Sequence, residues 1–161
     1  KYFGKEELTP EEYAQSKAIT FKQIYGGVQK EYKSVEFFQK IEEYITNLWK
    51  EYQDTGKIVL QTGRALHKSK NDFTPQKLFN YQIQNLETYQ NVKILKRLNE
   101  LLEDKLSKVV LVVYDSFLLD YSLQDGKQVL LDIKEIIQSE GFTVKAKIGQ
   151  NYDSLKLTPY L

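Results

Sequence analysis

Tyr13, Lys17, Phe21 and Tyr25 recur at four-residue intervals just ahead of a Gly26-Gly27 pair. On a helix that interval makes one slowly winding stripe, an ammonium set among aromatic rings. Two chemistries fit. In one, the aromatics enter a core and Lys17 is a solvated flank. In the other, Lys17 neutralises the charge of a nucleoside triphosphate during phosphoryl transfer, Phe21 stacks near its sugar and base, and Tyr25 closes the pocket. Asp115 is the second candidate. Five apolar residues, Val109 to Val113, lead into Tyr114-Asp115-Ser116, and an apolar segment returns. An acid at the apex of a buried hairpin is costly unless it is solvated, paired or bound to a cation; an ordinary turn aspartate is the plainer alternative. A third group, Asn80, Gln84, Glu87 and Asn91, shares one polar helix face, solvated unless a ligand covers it.

The elements that must position these residues are legible from their punctuation. Thr9-Pro10-Glu11-Glu12 starts a helix: Thr9 caps, Pro10 suits the first turn and Glu12 completes a capping box. That helix runs to about Tyr25 and stops at Gly26-Gly27. Ser34 opens a longer helix with Val35, Phe38, Ile41, Ile45, Leu48, Trp49 and Tyr52 on one face, ending before Gly56. Lys57 to Lys68 reads as a hairpin around Thr62-Gly63. Thr74-Pro75 starts a long helix, to about Asp104, with Phe79, Ile83, Leu86, Ile94, Leu98 and Leu101 as its buried stripe. Val109–Val113 reads as a buried strand and Phe117–Tyr121 as its hairpin partner. A helix from about Gln124 to Glu140 and a strand over Phe142–Ile148 complete the chain. The fold class is α+β: a helical portion, 1–56, precedes a β-β-α-β unit, 57–161, in which a long helix packs beside a small antiparallel sheet. The two portions fit one compact unit equally well.

Composition narrows the chemistry. At 161 residues, 28% charged and 41% hydrophobic, the chain is globular and of single-domain size. A formal charge of +1 gives no overall positive field, so nucleic-acid contact requires local basic placement. The absence of cysteine excludes disulfides and thiolate metal sites and fits a reducing compartment; the single His67 argues against a His-rich metal site or a His-based triad. No segment is apolar enough to span a bilayer. With no methionine and Lys1 as first residue, the sequence reads as a piece of a longer polypeptide. His67, Lys68 and Lys70 lie in a polar loop, solvated by preference and phosphate-contacting otherwise. Lys93, Lys96 and Arg97 read as a solvated helix face, and Trp49 as core rather than a base-stacking platform.

Three segments, taken in order, resemble family A DNA polymerases, the DNA polymerase I-like group of bacteria and phages. The first helix is similar to that family's fingers helix, whose pattern is Arg, Lys, an aromatic and Tyr-Gly at four-residue steps. Lys17, Phe21 and Tyr25-Gly26 match, and Tyr13 stands where the family has Arg. Asn80 and Gln84 match an Asn-x-x-x-Gln pair that touches primer-template; Asn85-Leu86-Glu87-Thr88-Tyr89 follows where the family continues Gly-Thr-Ala-Ala-Asp. Val113 and Asp115 match a Val-His-Asp-Glu hairpin whose Asp holds catalytic magnesium, with Tyr114 in place of His and Ser116 in place of Glu. Thr62-Gly63-Arg64 resembles the family's Gly-Arg hairpin, and Gly149-Gln150-Asn151-Tyr152-Asp153 its Gly-x-Asn-Trp closing motif, mainly structural. The departures point to a divergent phage-type branch.

The resemblance implies template-directed DNA synthesis, nucleotidyl transfer from a dNTP to a primer 3′ end. It implies Lys17, Phe21 and Tyr25 on the nucleotide, with Phe as the residue that discriminates deoxy from dideoxy sugars. Arg64, Asn80, Gln84 and Tyr114 would hold DNA; amides suit sugar and minor-groove acceptors that differ little between base pairs. Asp115 would be catalytic, binding Mg2+ in a two-metal arrangement about 3.5–4 Å across that needs more than one carboxylate. Asp120, on the return strand, is a candidate to compensate for Ser116. In the family another carboxylate comes from a strand upstream of the fingers helix, and residues 1–8 do not supply it. The partners expected are primer-template DNA, dNTP and the rest of the polymerase, with no membrane, in the cytoplasm of a bacterial or phage-infected cell. This piece alone is expected to be inactive. A non-catalytic nucleic-acid-binding remnant is the main alternative, and a helical interaction protein docking along Phe37–Tyr52 the lesser one.

Overall fold

The computed structural model describes residues 7–70 and 72–158; the reading of residues 1–8 falls mostly outside that range. The chain divides into two compact units, residues 1–86 and 87–161. The division lies within one long helix, and each unit has its own core. Fold class agrees with the sequence reading: helices with small antiparallel sheets, α+β.

In the first unit, α1 spans Pro10–Gly26. Its start is a complete capping box: Thr9 Oγ1 accepts from the Glu12 amide at 3.3 Å, and Glu12 Oε2 accepts from the Thr9 amide at 2.9 Å. It ends at Gly27, whose φ of +93° suits glycine. Helix α2 spans Glu36–Thr55. Val35, not Ser34, occupies its N-cap; a 3₁₀ turn over Lys30–Tyr32 feeds the Val35 amide to the Tyr32 carbonyl, so backbone rather than a hydroxyl sets the entry. Strands β1 (Lys57–Val59) and β2 (Ala65–His67) pair antiparallel, with Ile58 opposite Leu66. Helix α3 spans Pro75–Leu101. Ile45, Leu48, Tyr52, Ile58, Leu60, Leu66, Leu78 and Phe79 make the core, so residues 57–86 pack with the helical portion.

The second unit holds the C-terminal part of α3, β3 (Lys108–Val113), β4 (Ser116–Asp120), α4 (Gly126–Ser139), β5 (Lys147–Ile148) and β6 (Lys156–Leu157). Its core is Ile94, Leu98, Leu102, Val129 and Ile133, edged by Val109, Phe117 and Leu119. Three expectations change here. The α3 stripe is interrupted: Ile83 and Leu86 are exposed, because the helix gives one end to each core. Strand β3 is not buried; Val110, Leu111 and Val112 are exposed, since it pairs only with β4 and a register shift between Val109 and Leu111 breaks the alternation. The last strand is short: only Lys147–Ile148 forms it, and it pairs with β6, so among the described residues the three sheets are separate two-stranded ribbons.

Two polar clamps fix this unit. Asp125 accepts from the Leu106 amide at 3.2 Å and the Ser107 amide at 2.6 Å, and the fully buried Ser107 hydroxyl accepts from the Ser122 amide at 2.9 Å. Hydrogen bonding from Ser107 holds the Asp125 carboxyl below the usual carboxylate range. Glu140, past the end of α4, receives Lys93 at 2.8 Å and Arg97 at 2.9 Å. Lys93 and Arg97 are therefore not simply a solvated face; Lys96, paired with Glu100 along the exposed helix, is.

Candidate nucleotide and nucleic-acid surfaces

The α1 stripe is a surface. Phe21 is 45% and Tyr25 42% exposed, and Tyr13 and Lys17 are exposed as well. The residue that α1 buries is polar: Gln23, 1% exposed. Its Oε1 accepts from the Gln29 amide at 2.7 Å and its Nε2 donates to Gln29 Oε1 at 3.1 Å, so its amide is satisfied by the chain just beyond Gly26-Gly27. That pairing turns the aromatic face outward. On it, Lys17 Nζ lies 5.4 Å from the Phe21 ring centroid, within cation–π range, and the Phe21 and Tyr25 centroids are 5.7 Å apart. The core-aromatic reading of the stripe is thus set aside. What remains is a fixed ammonium and two adjoining ring surfaces open to a ligand.

Asn80, Gln84 and Arg64 also belong to the first unit. Asn80 is half-buried, and its Oδ1 is buried without a hydrogen-bond partner; Gln84 is exposed one turn further on. A buried amide oxygen left unpaired is costly, and Gln90 Oε1 on the same helix is left unpaired as well. The Thr62-Gly63-Arg64 turn is set by Leu60 N–H donating to the Arg64 carbonyl at 2.8 Å, and Thr62 Oγ1 reaches Asn85 Oδ1 at 3.4 Å. That bond ties the exposed Arg64 turn to the helical turn carrying Gln84, so Arg64 and Gln84 share a locality.

The hairpin apex, in the second unit, is Tyr114-Asp115. Tyr114 has φ of +52°, the only positive value for a non-glycine among the described residues, and is 87% exposed. A two-residue hairpin turn requires positive φ at its first central position, normally met by glycine. Asn91 Nδ2 donates to the Tyr114 carbonyl at 2.9 Å, and Ser116 Oγ donates to Val113 O at 2.8 Å. Asn91 is thus the turn's anchor; its place on the polar face of α3 was visible in the sequence, its partner was not. Asp115 is exposed. Asp120 does not join it: it pairs across from Lys108 at the far end of the ribbon, about 16 Å along the strand at the usual rise.

Among the described residues no group of three or more His, Cys, Asp or Glu could hold a metal ion. Magnesium is commonly bound through one or two carboxylates together with substrate phosphates and water. An exposed carboxylate on an anchored turn fits one ligand of a shared site, not a closed site.

No protein-family model and no curated sequence matches the chain. A solved structure does: the POL domain of Pol1 from M. smegmatis, in complex with DNA primer-template and dNTP, aligns with a TM-score of 0.66 over 94% of this chain at 16% identity. The fold is similar to that of part of this POL domain. The alignment covers 30% of that chain, so the present sequence corresponds to less than a third of its neighbour. No helix among the described residues is long and apolar enough to cross a membrane.

Proposed function

We propose that the chain belongs to a family A DNA polymerase of a divergent, phage-type branch, and that it supplies part of the nucleotide- and DNA-holding surface for transfer from a dNTP to a primer 3′ end. The observation that carries this is the outward Lys17–Phe21–Tyr25 stripe on a fold like that of a POL domain. Lys17 neutralises triphosphate charge, and Phe21 and Tyr25 shape the pocket around the new base pair. Arg64, Asn80 and Gln84 hold primer-template, and Tyr114 donates to a primer phosphate or sugar. In this reading residues 1–56 act as the fingers-like portion and 57–161 as the palm-like portion. Asp115 would be a ligand of Mg2+, which when bound activates the primer hydroxyl and stabilises the leaving pyrophosphate. Further carboxylate ligands come from outside these 161 residues, so the chain alone is inactive.

The test is primer extension by the longer natural protein containing this chain. Asp115→Ala is expected to abolish turnover and keep primer-template binding; Lys17→Ala is expected to raise the dNTP KM. Full turnover by the Asp115→Ala protein would remove Asp115 from the chemistry. A second reading has its own support: Ser116, where the family carries an acid, bonds its own strand. In that reading the protein is a non-catalytic remnant, with salt-sensitive DNA binding and no turnover even when whole.

A further inference from the structure

Beside the first unit's core lies a cleft of about 500 Å3 with an aromatic floor and a basic rim. Trp49, Tyr52 and Phe73 form the floor: the Trp49 and Tyr52 ring centroids are 5.6 Å apart, and Tyr52 and Phe73 meet edge-on at 6.0 Å. Tyr52 is 1% exposed and backs the floor, while Trp49 is half-buried and lines the cleft. Lys68, Ser69 and Lys70 make the rim on a single 3₁₀ turn. Lys68 is held there by a hydrogen bond to Gln53. Asp72 lines the cleft too, a negative charge that the two lysines outweigh.

We propose that this cleft takes a single-stranded nucleic-acid segment, one base lying on Trp49 and its flanking phosphates on Lys68 and Lys70. Aromatic platforms beside basic tracks are how single strands are held without regard to sequence, since every base has a π-face. A duplex offers no free base face. Two lysines lining one cleft offer two cationic contacts, which suits a phosphate chain better than one terminal phosphate. Neither feature alone indicates this: Trp49 reads as core and the lysines as a solvated loop until the fold brings them together. The proposal rests on the polymerase reading only for the origin of the strand, the unpaired template.

Trp49 is the only tryptophan in the chain; it lines this cleft and a neighbouring one beside α1, so the Lys68 and Lys70 variants assign any change in its emission to this cleft. The experiment titrates the chain at low salt with a thymidine oligonucleotide, a blunt duplex and dTMP, following Trp49 emission and the anisotropy of labelled DNA. Saturable quenching by the oligonucleotide, weak or absent with the others, is expected. Lys68→Gln/Lys70→Gln should weaken oligonucleotide binding roughly tenfold and flatten the salt dependence of log K by about 1.4, two single-strand phosphates. Lys70→Gln, at an exposed site, should give about half that change if the double variant misfolds. Equal quenching by the duplex or by dTMP overturns the single-strand assignment. So does oligonucleotide anisotropy without quenching, or no oligonucleotide binding. Primer-template binding with Trp49 emission unchanged would overturn this proposal alone and leave the polymerase reading standing.

Discussion

Tyr114 occupies a backbone conformation that glycine adopts freely and tyrosine rarely, with its ring almost wholly in solvent. A non-glycine residue in the left-handed region costs about 1–2 kcal/mol. Glycine removes that cost but loses about 0.5–1 kcal/mol to its larger unfolded-state freedom. Little packing is lost with a ring 87% exposed. Tyr114→Gly should therefore stabilise the protein by up to about 1.5 kcal/mol, a Tm rise of up to roughly 6 °C for a chain of this size. Tyr114→Ala keeps the backbone cost and should leave Tm nearly unchanged. If the ring donates to a primer phosphate or sugar, both variants lose a hydrogen bond worth about 0.5–1.5 kcal/mol, roughly a 2–12-fold weaker Kd for primer-template. Thermal melting by circular dichroism and anisotropy on labelled primer-template measure both halves. A lower Tm for Tyr114→Gly would refute the strain argument. A raised Tm with unchanged DNA affinity would refute the functional one, leaving a strained tyrosine with no binding role.

Gln23→Ala strips the buried amide that orients α1 and leaves the Gln29 N–H unpaired. Urea unfolding should show a loss of about 1–3 kcal/mol; a change within 0.5 kcal/mol would mean that the Gln23–Gln29 contact does not hold the helix. Acid dependence should centre on Glu140, whose carboxyl is held below the usual 4.5, chiefly by its hydrogen bond from Lys93 and then by the charges of Lys93 and Arg97. A carboxylate depressed in the folded state gives stability that is present above its unfolded value and lost as pH falls through the folded one. Tm should thus be steady above about pH 5 and fall below pH 4.5, with Asp125, lowered from 3.8, extending the loss further down. Glu140→Gln should lower Tm at pH 7 and shrink the drop between pH 5 and 3.5; an unchanged acid limb would place the titrating group elsewhere.

What the sequence disclosed follows the range of the forces involved. The start of α1 was readable because a capping box is closed within four residues, and the α2 face because seven apolar residues repeat at helical spacing. Spacing put Lys17, Phe21 and Tyr25 on one line but could not say whether that line met core or water. Gln23, a polar residue that the fold buries, decided it through a partner past the glycine pair. The β3 burial failed for a related reason. Five consecutive apolar residues mark a buried strand only when both faces are covered, and cover is a property of what packs later. Lys93 and Arg97 find Glu140 more than forty residues away, beyond any local pattern. Asp115 was legible as a turn acid, and Asn91 as a polar-face residue, but not Asn91's bond to the Tyr114 carbonyl that anchors the turn.

The placement of the chemistry-bearing residues bears on which reading is stronger. Each lies off its core: Lys17, Phe21 and Tyr25 on an open helix face, Arg64 on a turn, Tyr114 and Asp115 at an apex. Folding stability comes from other residues, such as Tyr52, Leu78, Ile94 and Leu98, and from clamps that touch none of the candidates. Tyr114 at positive φ and the unpaired Asn80 Oδ1 are local costs at two of the candidate positions, and Gln90 Oε1 is left unpaired in the same way. These costs do not decide between the proposed catalyst and the proposed remnant; that choice rests on Asp115, a lone carboxylate whose value in the proposed chemistry depends on a second one supplied from elsewhere.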